Sequence, residues 1–393
     1  MSHQLTQPHS SSSKPLSSSK TTISDFNIHR LLGEGAYGKV LYAQSKKTQK
    51  EYAIKSIDKF FLSKLNKIHE AFIEREMLSS ILSHPNIPKL ITSFQSKDKL
   101  YYVLPYFKNG SLQDLISKNG TLPYTQAQFY LAQIVNVLEY FETKNIAHLD
   151  MKPHNILIDN DNNIKVIDFA TATKIGCEYD MKRRMFVPKR NKYIDMVGTV
   201  EYASPEMING NVVNEKSCDL WALGVIMYQM FYGVTPFKAH TLSNTKENIL
   251  QAKVHLNDDV GETVNDLILK LLNVNYKERI GFKTIEQIKE HPFFEGVDLN
   301  NLNFQTMCYC VNKSKHCEHT ICSYGSNSSC GDYCNIRETC YSDNCMDSCE
   351  EEDEKEKEEI AVHVVMKGND CEIMKMVKEV NVNNNYINVF RNK

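Results

Sequence analysis

The residues best suited to chemistry lie close together in the chain: His148-Leu149-Asp150-Met151-Lys152-Pro153-His154-Asn155, then Asp168-Phe169-Ala170 after a strand pair at 156–167. A carboxylate at Asp150 can orient a hydroxyl and take its proton. Lys152, two residues on, can steady negative charge that develops nearby. The Asn155 amide and the Asp168 carboxylate offer hard oxygen ligands of the kind Mg²⁺ prefers. Phosphoryl transfer asks little more of a protein than these parts, correctly placed. Each residue type is commonplace by itself, and it is the set of spacings that carries the inference.

Two upstream motifs fit the same chemistry. In Leu32-Gly33-Glu34-Gly35-Ala36-Tyr37-Gly38-Lys39-Val40 the glycines let backbone N–H groups approach phosphate oxygens without a Cβ in the way. The pattern alone also suits a dinucleotide fold or an ordinary hairpin turn, but here a strand rather than a helix follows the loop, which argues against the dinucleotide fold. In Ala53-Ile54-Lys55 a lysine sits inside an apolar strand, where an unpaired ammonium would be costly. Glu74, on a helix-like stretch, is its natural partner, with Glu76 as a competitor. That pairing leaves the ammonium free to hold phosphates as well.

The elements that must position these groups form two textures. From Phe26, short apolar runs broken by glycine read as strands, Tyr52–Ile57 and Leu100–Leu104 among them, with helix over Glu70–Leu82. After Gly120 the period becomes helical: Thr125–Glu142 gathers Ala127, Leu131, Ile134, Val135, Leu138 and Phe141 on one face, and Cys218–Phe231 is apolar nearly all round, as a buried helix would be. The expected fold is α+β and bilobal, a small β-rich lobe with one main helix and a larger helical lobe, with ligand in the cleft between them. The domain boundaries read as a Ser-rich, disordered tail at 1–24, a catalytic domain at 25–301 (N-lobe 25–104, hinge 105–108, C-lobe 109–301), a Cys-rich tail at 302–349, and an acidic and Asn-rich tail at 350–393.

Composition narrows the class. A formal charge of −2 over 393 residues exerts no overall pull toward nucleic acid or anionic membrane, and neither a membrane span nor a signal peptide is expected from the apolar pattern. Of the twelve cysteines only Cys177 and Cys218 precede residue 300, which suits a reduced domain in the cytoplasm.

The whole set of motifs resembles the eukaryotic protein kinases from about Phe26 to Phe294. Further matches are Ser204-Pro205-Glu206, Asp219-Leu220-Trp221-Ala222-Leu223-Gly224 and Arg279. Lys152 and Thr199 resemble the serine/threonine class. Lys108-Asn109-Gly110-Ser111-Leu112, Val197-Gly198-Thr199-Val200-Glu201-Tyr202 and His291-Pro292-Phe293-Phe294-Glu295 resemble the AGC group, and within it the 3-phosphoinositide-dependent protein kinase family. The resemblance implies ATP and Mg²⁺ as cofactors and protein substrates as partners, among them the activation loops of other AGC kinases. It further implies that Glu206 pairs with Arg279, that Asp219 braces the catalytic loop, and that adenine meets the Pro105 carbonyl and the Phe107 N–H. Asn155 and Asp168 would be the metal ligands, and Asp150, Lys152 and Asn155 the catalytic residues. Against this family the stretch from Glu74 to His84-Pro85 is one residue longer, which is why Glu76 competes for Lys55.

Several positions depart from the family. Leu149 replaces an arginine that would receive an activation-segment phosphate, and Asp195 stands where that phosphorylated serine would be. A fixed carboxylate in place of a switchable phosphate is one reading, and a solvated loop residue is the other. Asp195 and Thr199 are the candidate regulatory positions. Ala170 replaces a glycine, so a flipped, inactive form of this segment is expected to be disfavoured. Ser111 replaces a ribose-binding glutamate, for a weaker contact. Lys182, Arg183, Arg184, Lys189, Arg190 and Lys192 form a basic run that reads as a solvated loop, a dock for acidic segments, or a nuclear localisation patch. The Cys-rich tail has thiols and imidazoles that suit Zn²⁺, but its spacings are irregular and lack a CxxC pair, so a metal-free tail is expected over a zinc site. Nothing after Asn301 has the texture of a phosphoinositide-binding domain. The alternative to an enzyme is a pseudokinase scaffold that binds nucleotide and partners without turnover.

Overall fold

The computed structural model describes residues 20–35, 38–189, 198–210 and 214–302. Most of the Ser-rich tail, Ala36, Tyr37, Arg190, Lys192, Asp195, the Cys-rich tail with its zinc question, and the acidic and Asn-rich tail lie outside the described residues.

The N-lobe is built on a five-stranded antiparallel sheet of β1 (Phe26–Gly35), β2 (Gly38–Ser45), β3 (Glu51–Asp58), β4 (Thr92–Gln95) and β5 (Lys99–Pro105), in the order β1-β2-β3-β5-β4. Glu34 pairs with Lys39 and Gly35 with Gly38 in the β1–β2 ladder, so the glycine-rich stretch is a hairpin of the sheet itself. Gly38 must be glycine, because a Cβ there would come 2.6 Å from the Ser56 carbonyl oxygen. Between β3 and β4 run α1 (Lys59–Lys64), capped by the Asp58 carboxylate, and α2 (Ile68–Glu76).

The predicted helix over 70–82 ends differently from an ordinary one. After Glu76 the chain widens into a π-helical turn, Met77–Ile81, closed by Leu82 N–H donating to the Met77 carbonyl at 2.9 Å. A π-turn absorbs one extra residue without shifting what precedes it. The one-residue excess in the sequence is thus taken up behind Glu74, and the register of α2 toward the sheet is unaffected.

The C-lobe begins with α3 (Leu112–Asn119), opened by a capping box in which Ser111 and Asp114 exchange hydrogen bonds. The long α4 (Tyr124–Lys144) ends at left-handed Asn145. Then follow the strands β6 (Ile146–Ala147), β7 (Ile156–Ile158), β8 (Ile164–Val166) and β9 (Thr173–Lys174), a hairpin of β10 (Cys177–Asp180) and β11 (Met185–Pro188), and α5 (Pro205–Ile208). The core helix α6 (Glu215–Tyr232) is followed by α7 (Leu242–Leu250), α8 (Glu262–Leu271) and α9 (Glu286–Lys289). As its composition requires, α6 is buried around nearly its whole circumference, with Trp221 stacked on Phe237. Among the described residues, no helix is long and apolar enough to cross a membrane.

The basic run is only partly the loop expected of it. Residues 177–188 form a paired hairpin with Lys182 and Arg183 exposed at its turn, while Lys189 is turned inward to pair with buried Glu215.

Candidate active site

Three segments deliver polar groups to one place. The catalytic loop after β6 is fixed from beneath: the buried Asp219 carboxylate accepts the His148 N–H at 2.7 Å and the Leu149 N–H at 2.9 Å. Burial pushes Asp219 above the usual carboxylate range, and these bonds pull the other way. Leu149 takes a positive φ of 65° and buries its side chain with Ala147, Ala203, Met207 and Cys218. A leucine side chain suits this apolar cluster.

Above this support, Asp150 is the centre of a tight group. Lys152 Nζ donates to Asp150 Oδ2 at 2.8 Å and to Thr199 Oγ1 at 2.7 Å. Thr199 N–H donates to Asp150 Oδ1 at 3.0 Å, and Asn155 Nδ2 donates to the Asp150 carbonyl at 2.9 Å. Gly198 allows this approach: its φ is +84°, and a Cβ would lie 2.8 Å from Asp150 Oδ1. Thr199, expected as a regulatory position, thus lies within the site and touches both the carboxylate and the ammonium.

The second group straddles the lobes. From β3, Lys55 Nζ reaches both Glu74 oxygens at 2.7 and 2.9 Å and Asp168 Oδ1 at 2.8 Å. Glu74 is thereby the partner of Lys55. Its competitor Glu76 instead accepts a hydrogen bond from Tyr179 at 2.7 Å. Burial disfavours the Lys55 ammonium, but the Asp168 and Glu74 carboxylates outweigh it and hold the group well above its usual range. Glu74 is the softer member, because burial outweighs the ammonium's pull and pushes its carboxyl up to about 7. Asp168 is held below the usual carboxylate range by Lys55, against the opposing effect of burial.

The Asp168-Phe169-Ala170 segment has one left-handed residue. The left-handed residue is Asp168, at φ 64°, while Ala170 is buried in the short 3₁₀ turn Phe169–Thr171 and is not among the positive-φ residues. Alanine therefore brings no backbone strain to this conformation. Phe169 is fully buried against His148, ring centroids 4.9 Å apart, and against Phe141.

Other predicted residues are placed as follows. Leu32, Gly33, Glu34 and Gly35 lie on β1 and Lys39 and Val40 on β2; a Cβ at Gly33 would meet nothing within 4 Å. Glu34 and Lys39 pair with each other at 3.1 Å on the exposed rim. Pro105 ends β5, opposite Tyr52, and Phe107 follows it into the connection to the C-lobe. Ser111 is buried, and its hydroxyl is engaged with Asp114 at 2.7 Å as the α3 cap. This capping role accounts for a serine at that position.

Sequence reasoning missed the hairpin. Its signal was present in the alternation of Cys177–Asp180 and the apolar run Met185–Pro188 around a charged turn, with Tyr179 and Phe186 directly cross-strand. The basic residues of the turn masked it.

The protein kinase domain model matches residues 26–294. The chain is 38% identical over 285 residues to mouse 3-phosphoinositide-dependent protein kinase 1, covering 72% of this chain and 49% of that protein. It is 36% identical over 302 residues to serine/threonine-protein kinase ksg1 of Schizosaccharomyces pombe, covering 75% and 50%. Human putative 3-phosphoinositide-dependent protein kinase 2 is 38% identical over 285 residues, and there the match covers 69% of the relative. The chain spans about half the length of the mouse and fission-yeast relatives. With a buried Arg279–Glu206 pair at 2.7 Å and the loop brace of Asp219 both in place, the chain belongs to the protein kinase family, in the AGC group of serine/threonine kinases.

Proposed function

We propose that the protein transfers the γ-phosphoryl group of ATP to serine or threonine hydroxyls of protein substrates. The observation that carries this reading is the convergence of Asp150, Lys152 and Thr199 within hydrogen-bonding distance of one another. Asp150 accepts the proton of the incoming hydroxyl and orients it. Lys152, bridging Asp150 and Thr199, places a positive charge beside the same oxygen. Lys55, kept cationic by Glu74 and Asp168, presents an ammonium toward the phosphates, and the glycine hairpin covers them with backbone N–H groups.

The residues present suit magnesium. Among the described residues no group of three or more His, Cys, Asp or Glu side chains could cage a metal. Mg²⁺ bound with a nucleotide needs no such cage, since it takes one or two protein oxygens and fills the rest with phosphate and water. Asp168 and the Asn155 amide would hold it, and it would supply neutralisation of charge on the phosphate oxygens. No observation favours a scaffold without turnover.

The substrate class best supported is the activation loops of other AGC kinases, on the similarity to the 3-phosphoinositide-dependent kinases over both lobes. The test is transfer of radiolabelled phosphate to a panel of AGC activation-loop peptides and unrelated peptides, with Asp150→Asn as control. Labelling of the former by the parent chain alone is expected. Labelling only of unrelated peptides would keep the enzyme and discard the substrate class. ATP binding without labelling of any peptide would discard the enzyme.

A further inference from the structure

The hairpin 177–188 lies between Asp168 and Thr199, two residues of the site, yet none of the chemistry above uses it. Its base is anchored in the C-lobe. Gly176 N–H donates to both Glu215 oxygens at 3.3 Å, and Lys189 pairs with the same buried carboxylate of α6. Ile175 N–H donates to the carbonyl of Asn145 at the end of α4 at 2.8 Å, and Thr173 Oγ1 donates to the Cys177 carbonyl at 3.0 Å. The turn is stiffened by the Asp180 carboxylate, which accepts from the N–H groups of Lys182 and Arg183.

The other end reaches the N-lobe. Tyr179 is braced edge-on by Phe186, ring centroids 5.2 Å apart, and Phe186 in turn lies under the Lys174 ammonium. The Tyr179 hydroxyl then donates to Glu76 Oε2 at 2.7 Å. Burial and the Glu76 carboxylate push this phenol far above its ordinary range, so it is always a donor. Glu76 is two residues beyond Glu74 on the same helix, just before the π-helical turn that begins at Met77. Three further polar contacts link α2 to the sheet: Lys55 on Glu74, Tyr102 Oη donating to the Ala71 carbonyl at 2.6 Å, and Arg75 Nε donating to Ser93 Oγ at 3.2 Å. All three come from the N-lobe. The Tyr179 contact ties α2 to the segment that carries Asp168 and Thr199.

We propose that this hairpin is a strut coupling the catalytic lobe to α2, with Tyr179 as a positioning residue that keeps Glu74 turned toward Lys55 without covalent modification of the chain. The bond joins two encoded side chains, so the arrangement forms on folding. The proposal deepens the kinase reading and rests on it for its kinetic consequences, but the geometry of α2 can be measured without turnover.

The experiment uses the full chain with Tyr179→Phe, Glu76→Ala, Glu76→Gln and the double variant Tyr179→Phe/Glu76→Ala. Amide hydrogen exchange over 68–76 reports on α2, and steady-state kinetics give KM for MgATP and kcat. Removing the phenol hydroxyl or the carboxylate is expected to speed α2 exchange roughly three- to tenfold and to raise KM more than it lowers kcat. Glu76→Gln keeps an acceptor oxygen and should stay near the parent. The double variant should be no worse than either single change, since both break one bond. Additive effects, or unchanged α2 exchange in Tyr179→Phe, would overturn the strut. If the parent transfers no more phosphate than Asp150→Asn, the kinase reading falls, and the exchange comparison still decides whether the strut exists.

Discussion

On the C-lobe side, Asp150 stands on a loop whose backbone is bonded to a buried carboxylate, above a helix enclosed on nearly all sides and locked by the buried Arg279–Glu206 pair. On the N-lobe side, Lys55 stands on a sheet with a small core of Phe26, Ala43, Ile54, Tyr101 and Val103, and Glu74 stands on α2, which packs its Ile73 into the main core and is linked to its neighbours by polar contacts from Lys55, Tyr179 and Tyr102. The first arrangement cannot be disturbed without exposing or orphaning buried groups. The second is also buried, but its polar links, Lys55–Glu74 and Tyr179–Glu76 among them, join elements from separate parts of the chain. Polar groups that must be fixed are thus rooted in a core, while those that must admit and release a ligand are joined across a gap.

The comparison can be broken or sharpened by substitution. Asp150→Asn removes the proton acceptor while keeping the shape, so transfer should fall by roughly 10²- to 10⁴-fold with an unchanged denaturation midpoint. Activity near the parent level would show that Asp150 is not the base. Glu206→Ala strands a buried guanidinium and should cost roughly 3–5 kcal/mol in urea denaturation. A cost below about 1 kcal/mol, typical of exposed pairs, would mean that this side is no better rooted than the other.

The same pair predicts a pH dependence. Burial alone would raise the Glu206 carboxyl, but the Arg279 bonds outweigh it and the folded value lies below the ordinary 4.5. The stability contributed is therefore present above the unfolded value and lost as pH falls through the folded one. Glu206→Gln should flatten the acid decline below about pH 4.5, measured as the denaturation midpoint against pH.

On the N-lobe side, Lys55→Met should weaken MgATP binding roughly 10- to 100-fold while shifting stability by less than about 1 kcal/mol, because Glu74 can take up a proton once its ammonium is gone. Equilibrium nucleotide binding and urea melts together check this. An unfolded variant would mean that the N-lobe pair is as structural as the C-lobe one. The smallest effect concerns Glu74 itself. Its carboxyl, pushed up to about 7, loses its charge on the acid side and with it the hold on Lys55. The kcat/KM for MgATP should fall a few-fold as pH drops below about 7, and Glu74→Gln should remove that limb while lowering the plateau.

Much of the site was legible because phosphoryl transfer places its groups on short, continuous pieces of chain. Asp150, Lys152 and Asn155 lie within six residues, and Asp168 follows one strand pair later, so local spacing nearly specifies local geometry. The helices were legible for a similar reason: the apolar stripe of α4 and the all-round apolarity of α6 reflect the environments they occupy. Ser111 and Ala170 were less legible. Each was read against a family position, whereas its local conformation rests on neighbours: a hydrogen bond to Asp114 for Ser111, and a 3₁₀ turn after left-handed Asp168 for Ala170.

The sequence by itself pointed to a strand-rich lobe followed by a helix-rich one and set a carboxylate close to an ammonium, because these follow from residue type, periodicity and spacing, and the whole set of motifs carried the resemblance to the kinases. The tertiary structure alone decided that Glu74 rather than Glu76 meets Lys55, that a π-turn absorbs the extra residue, that Thr199 enters the site, and that a hairpin read as a loop reaches α2. Each of these depends on which of several chemically equivalent partners is brought near, and that is settled by packing between segments as much as a hundred residues apart.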